Sequence, residues 1–295
     1  MKRIAICVLL GVLIAISTTS QAQNKPASRV KYGSNKAAGK TFTHDGVKLY
    51  YETYGTGKPL LMVHGNGGSI ADMTAQIDHF RKRYKVIAMD SRDHGRSADS
   101  NEQLTYEEMA DDLAALLDHL KVGPVYVLGG SDGGIEALLL GIRHPEKVSK
   151  IAAMAANLNP GNDAFLPEVT GLIRTMVDQV PAAERETPAC RRSIKVTSMM
   201  FDHPNIPLTA LNSIKVPTLV LAGDHDLIRD EHTVAIFQHI PNSQLAIFPN
   251  ATHMILYDDP ALFNSTIDRF FNKPFVKIDR IGDTMKSLEK LRSGH

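Results

Sequence analysis

Ser131 lies in the run Gly129-Gly130-Ser131-Asp132-Gly133-Gly134, directly after the apolar residues Val125 to Leu128. Gly129, Ser131 and Gly133 fit the G-x-S-x-G pattern of a nucleophile on a sharp strand-to-helix turn. Ile135, Glu136, Ala137 and Leu138 then open a helix, so the hydroxyl stands at the positive end of a helix dipole. A serine hydroxyl is a poor nucleophile near neutral pH. It needs a base to take its proton, an acid to orient that base, and donors for the developing oxyanion. Asp226, in Gly223-Asp224-His225-Asp226, and His253, in Ala251-Thr252-His253, supply acid and base in the chain order Ser, Asp, His. The donors are two backbone N–H groups, that of Asp132 after the nucleophile and that of Asn66 in His64-Gly65-Asn66-Gly67-Gly68. His64 reads as a buttress of that loop. Asp224 competes with Asp226 for the role of acid. As the first residue of its turn, Asp224 is expected to fold its carboxylate onto the amide of Asp226 in an Asx-turn, which leaves Asp226 to face His253.

These side chains follow the ends of short apolar runs. Residues 59–63, 86–89, 125–128, 148–156, 216–222 and 244–248 read as strands buried on both faces. Amphipathic stretches separate them, at 70–84, 105–120, 231–240 and 261–271. In the second of these Met109, Leu113, Leu116, Leu117 and Leu120 recur at helical spacing, and Thr105 with Glu108 forms a capping box. Residues 41–54 alternate around Asp45-Gly46, a hairpin signal. Strands alternating with helices predict an α/β fold, a mostly parallel sheet wrapped on both faces. Ligand chemistry in such sheets lies beyond the carboxyl ends of the strands, where His64, Ser131, Asp226 and His253 fall.

Residues 157–213 break this rhythm. The segment is too long for a plain connection, and it reads as a helical cap with helices at 169–180 and 194–201. Phe165, Leu166, Met176, Met199, Met200 and Phe201 are its candidate pocket residues. The chain begins with Lys2 and Arg3, an apolar run from Ile4 to Ile16, and Ser20-Gln21-Ala22. These are the parts of an export signal peptide, residues 1–22, cleaved after Ala22. Residues 23–40 read as a flexible linker, 41–156 and 214–272 as the two parts of the core, and 273–295 as a tail or surface helix. Cys190, in a polar segment rich in proline and arginine, lacks the context of a catalytic thiol.

The His64-Gly65 loop, residues 90–97, the Gly129–Gly134 turn, Gly223 to Asp226 and Ala251-Thr252-His253 together resemble the α/β-hydrolase superfamily. The similarity is to its serine branch of esterases, lactonases and carbon–carbon bond hydrolases. It implies an eight-stranded sheet with the cap inserted after the sixth strand. The family often has glycine where this chain has Asp93, in a turn read as structural. Serine at position 131 argues against the relatives that use aspartate there, the haloalkane dehalogenases and epoxide hydrolases.

The expected protein is an exported serine hydrolase, periplasmic or extracellular, acting on a small ester, lactone or related acyl compound. It needs no cofactor and no metal. A carbon–carbon bond hydrolase and a non-catalytic small-molecule-binding protein are the alternatives. A formal net charge of +1 gives no basis for nucleic-acid binding, and no stable membrane span is expected once the signal is removed. The sequence leaves the oligomeric state open.

Overall fold

The computed structural model describes residues 30–100 and 102–293. The proposed signal peptide, and the linker up to residue 29, lie outside the described residues. A hairpin comes first: β1 (Gly39–His44), a turn at Asp45 and Gly46, both at positive φ, and β2 (Val47–Tyr54). β3 (Lys58–Val63), α1 (Thr74–Phe80), β4 (Tyr84–Asp90), α2 (Tyr106–His119), β5 (Val125–Gly130), α3 (Asp132–Arg143) and β6 (Val148–Met154) follow. The cap holds α4 (Pro167–Asp178), the short α5 (Ala182–Arg185) and α6 (Pro188–Asp202). The core resumes with β7 (Thr218–His225), α7 (Asp230–His239), β8 (Ser243–Thr252), the single turn α8 (Ile255–Asp258) and α9 (Pro260–Asn272). α10 (Arg280–Arg292) ends the described chain and buries none of its residues.

The eight strands form one sheet in the order β1-β2-β4-β3-β5-β6-β7-β8. β2 is antiparallel to both of its neighbours, and every pair from β4 to β8 is parallel. Alternate side chains feed two cores, as the period of a strand requires. Leu61, Val63, Ile87, Met89 and Val127 pack with α2, α3 and α7 on one face. Leu60, Met62, Val86, Ala88 and Leu128 pack with α1 and α9 on the other. The Thr105 side chain accepts from the N–H of Glu108 and caps α2, which is half of the expected capping box; the Glu108 carboxylate takes the Thr105 hydroxyl at 2.9 Å rather than its backbone N–H. The buried Lys150 ammonium caps α9, donating to the carbonyls of Phe270, Phe271 and Lys273 at 2.7 to 3.1 Å.

The structure departs from the sequence reading in several places. The described part of the linker is docked rather than flexible. Glu52 is fully buried on β2, and its carboxylate accepts from the amides of Gly33 and Asn35 and from the hydroxyls of Tyr50 and Tyr54. A buried carboxylate needs such donors, and they hold residues 33–35 against the sheet. Residues 70–84 are split between a 3-10 turn, Ile70–Met73, and the short α1. α6 begins six residues before the amphipathic stretch, because Thr187 caps it and Pro188 suits its first turn. β8 runs through Pro249 to Thr252 rather than ending at Phe248. The carboxylate of Asp224 on β7 takes the amides of Asn250 and Ala251, across a register shift between the two strands.

Candidate active site

Ser131 occupies the turn between β5 and α3 with φ 56° and ψ −121°. A non-glycine residue held there stores about 1–3 kcal/mol of backbone strain. Glycines close the turn around it. A Cβ on Gly129 would collide with the carbonyl of Gly133, and one on Gly133 with the carbonyl of Val63. The Ser131 amide donates to the Met154 carbonyl at 2.8 Å, which ties the turn to β6.

The structure brings Ser131, His253 and Asp226 together from three strand ends. The Ser131 hydroxyl donates to Nε2 of His253 at 3.0 Å, and His253 Nδ1–H donates to Oδ1 of Asp226 at 2.6 Å. Oδ1 of Asp226 also accepts from the amide of Ile228 at 3.1 Å, and Oδ2 accepts from that of Gly223 at 3.4 Å. Burial works to raise the Asp226 pKa, but the His253 imidazolium and these donors outweigh it and hold the carboxyl below its usual range. Burial works to lower that of His253, and the charge of Asp226 outweighs it and lifts the imidazole above its usual value.

Asp224 points elsewhere. The Asx-turn onto Asp226 does not form. The carboxylate of Asp224 instead accepts from Asn250 N at 2.9 Å and Ala251 N at 3.0 Å, and pairs with His225. The pair with His225 and these two amides lower its pKa to about 2. This tie between the ends of β7 and β8 sets the position of His253, the residue after β8.

His64 links the loop after β3 to the loop after β4. Its Nδ1–H donates to the Gly65 carbonyl at 2.8 Å, and its Nε2 accepts from the Ser91 amide at 3.1 Å. Asp93 stands at φ 60°, a conformation that glycine adopts without cost, which accounts for glycine in related turns. Its carboxylate takes Ser100 and the ammonium of Lys195 on α6.

The backbone N–H groups of Asn66 and Asp132 donate to no protein acceptor among the described residues. The Asp132 amide is free because the first N–H groups of a helix have no partner within it. Its carboxylate is buried and takes hydrogen bonds from Asn66 Nδ2 at 2.9 Å and from the Tyr106 hydroxyl. Burial raises its pKa against the pull of those donors. The spacing of the sequence flagged the Asp132 backbone, not its side chain or Tyr106.

Ser131 and His253 open onto a cavity of about 350 Å³ between the sheet and the cap. Of the six candidate pocket residues of the cap, Phe165 and Met200 line it. Met199 is buried in the core beneath, while Met176 and Phe201 pack with Val177, Val180 and Cys190 inside the cap. The lining instead takes Val169, Leu172 and Ile173 from α4, and Thr197 from α6. Gln76 and Tyr257 add polar groups from the core side. Among the described residues no group of three or more His, Cys, Asp or Glu is placed to hold a metal ion, and no helix is long and apolar enough to cross a membrane.

An eight-stranded, mostly parallel sheet with a cap over its strand ends defines the α/β-hydrolase fold. Comparison with known proteins agrees. The family model described as alpha/beta hydrolase fold matches residues 58–195. The chain is 25% identical to 3-oxoadipate enol-lactonase 2 of Acinetobacter baylyi over 256 residues, covering 77% of this chain and 94% of the relative. It is 26% identical to the serine hydrolase BPHL of Mus musculus over 249 residues, covering 77% and 84%. The crystal structure of a hydrolase from Pseudomonas aeruginosa superposes with a TM-score of 0.69 at 22% identity, covering 81% of this chain and all of that one. The chain has the α/β-hydrolase fold, and its sequence is similar to that family over residues 58–195.

Proposed function

We propose that the protein is an exported serine hydrolase that cleaves a small carboxylic ester, lactone or related acyl compound through an acyl-enzyme at Ser131. The observation that carries this reading is the unbroken hydrogen-bond chain Ser131–His253–Asp226 at the floor of a cavity. Ser131 Oγ attacks the acyl carbon while His253 Nε2 takes its proton. The oxyanion that forms accepts from the amides of Asn66 and Asp132. His253 passes the proton to the leaving oxygen, the C–O bond breaks, and the acyl group stays on Ser131. Water then attacks the acyl carbon, giving its proton to His253, which returns it to Ser131 as the acid leaves. Asp226 keeps the imidazole oriented and stabilises its cation. An enol-lactonase and a serine hydrolase among the relatives support acyl chemistry of this kind.

The cavity favours an uncharged substrate. Its lining includes no lysine or arginine among the described residues. The cap cations nearby are committed, Arg192 to Asp99 and Lys195 to Asp93 and Ser100. A substrate carboxylate would lose its water with the buried Asp132 and Asp226 as neighbours and no lysine or arginine in the lining to replace it. The volume lies at the small end of ligand sites, which run about 300–1,000 Å³.

The test is a panel of p-nitrophenyl esters, neutral acyl chains of increasing length against mono-p-nitrophenyl esters of dicarboxylic acids. Hydrolysis of the neutral esters at least a hundredfold faster in kcat/KM supports the reading. Preference for the acids refutes the neutral pocket, and no hydrolysis with tight small-molecule binding makes the protein a receptor. Expressed in a bacterium with its own N-terminus, the protein should leave the cytoplasm and begin near Gln23. A cytoplasmic product that keeps residues 1–22 contradicts export.

A further inference from the structure

The carboxamide of Asn66 joins three separate parts of the site. One Nδ2 hydrogen goes to Oδ2 of Asp132 at 2.9 Å and the other to the carbonyl of Val196 at 3.0 Å, partners 66 and 130 positions away in the chain. Asp132 opens α3 immediately after Ser131. Val196 lies within the cap helix α6, one residue before Thr197 and four before Met200, both of which line the cavity. Both hydrogens of the amide group are therefore in use, one on the elbow and one on the cap.

The loop that carries Asn66 needs such a tie. It reads Gly65-Asn66-Gly67-Gly68, and Gly67 sits at φ 65°. Glycines on both sides give the backbone wide freedom, and the turn closed by the Gly68 N–H on the Gly65 carbonyl at 3.1 Å holds the loop without reaching Asp132 or the cap. The tie reaches the residue whose own amide is the other donor to the oxyanion. Asp132 depends on it in turn, because a carboxylate 4% exposed must be met by donors from the protein.

We propose that the Asn66 side chain is a positioning group that sets the spacing of the two oxyanion-directed amides and holds the cap helix in register with them. This rests on the serine-hydrolase reading above. It differs from a packing role in one respect: its loss falls on the transition state more than on substrate binding. Removing a single oxyanion donor costs about 10²–10³ in turnover. Displacing one by loss of its tie should cost somewhat less.

The experiment compares wild type with Asn66→Leu, which keeps the bulk and removes the donors, and with Asn66→Ala should the leucine variant not fold. Asp132→Ala and Asp132→Asn test the same bond from its other end. Each is assayed on a neutral p-nitrophenyl ester, with a trifluoromethyl ketone as transition-state analogue and a fluorophosphonate label on Ser131. The Asn66 variant should lose about 30- to 100-fold in kcat, with KM within about threefold, and should weaken the ketone by the same factor. Asp132→Asn keeps an acceptor oxygen and should recover at least about tenfold of what Asp132→Ala loses. The Asn66→Leu/Asp132→Ala double variant should fall little below the worse single one, since residues that share one interaction are not additive. Wild-type kcat and ketone affinity in the Asn66 variant, with Ser131 still labelled, overturn the positioning role and leave the serine mechanism standing. Additive losses in the double variant overturn it as well. Failure of the wild type to label at Ser131 overturns the reading beneath it.

Discussion

Asp226→Asn separates charge from orientation at His253. Oδ1 of Asp226 accepts from both His253 Nδ1 and the Ile228 amide, while Oδ2 meets only the Gly223 amide, at the longer 3.4 Å. An asparagine at this position should therefore keep its oxygen toward His253 and Ile228 and turn its NH₂ toward Gly223. The reverse orientation sets a donor against the Ile228 N–H. The imidazole then retains its tautomer and loses only the countercharge that stabilises its protonated form. Opposite charges about 4 Å apart interact by about 4 kcal/mol at an effective dielectric of 20. At 1.36 kcal/mol per tenfold in rate this is about a 10³-fold loss in kcat/KM. A switch to the wrong tautomer would cost more, about 10⁴-fold in the serine-protease case. The assay is p-nitrophenyl ester hydrolysis as a function of pH. In the wild type the acid limb of kcat/KM should fall above pH 6.5, because the base must be neutral and Asp226 raises His253 above its ordinary value. In Asp226→Asn that pull is gone while burial remains, so the limb should move to lower pH. Asp224→Asn keeps one of the two oxygens that take Asn250 and Ala251, and activity should stay within about fivefold. A folded Asp226→Asn within tenfold of wild type, or a more damaging Asp224→Asn, would refute this division of labour.

Pocket size should follow the residues that line it. Met200→Ala and Ile173→Ala should shift preference toward longer acyl chains, whereas Met176→Ala, partly buried against the cap's own cluster, should not; equal responses from all three on the ester panel would contradict the lining. His94 tests stability against pH. Burial holds its pKa down to about 3, so the folded state excludes the imidazolium; the stabilisation is complete above pH 6.5 and is lost as pH falls from there toward 3. At about 1.36 kcal/mol per pH unit the loss reaches about 2 kcal/mol by pH 5. Urea denaturation should show a shallower decline over this window in His94→Asn, and an unchanged slope would refute it.

What could be read from the sequence was what is local. The parallel strands were legible because strands buried on both faces are runs of apolar residues, and the start of α2 because Thr105 and Glu108 cap it within one turn. The six-residue shift in the start of α6, the length of β8 and the docking of residues 33–35 depend on other forces. Thr187 and Pro188 outweigh an apolar period, Asp224 reaches 27 positions to Ala251, and Glu52 gathers donors from a segment that looks like a tether. The site divides in the same way. Ser131, Asp226 and His253 each follow a legible strand, so their meeting could be anticipated from topology. Met199 and Met200 are adjacent in sequence and about 100° apart around the helix, and only the seating of the cap decides which one reaches the cavity. The Asn66 side chain was invisible for the same reason, since its partners lie on two elements distant in sequence.

The central claim is that Ser131 is the nucleophile. Intact-mass and peptide mass spectrometry after treatment with a fluorophosphonate test it most directly. A single adduct on the peptide containing Ser131, absent from Ser131→Ala and from heat-denatured protein, is the predicted result. An adduct that persists in Ser131→Ala, or ester hydrolysis by that variant within tenfold of wild type, would contradict it.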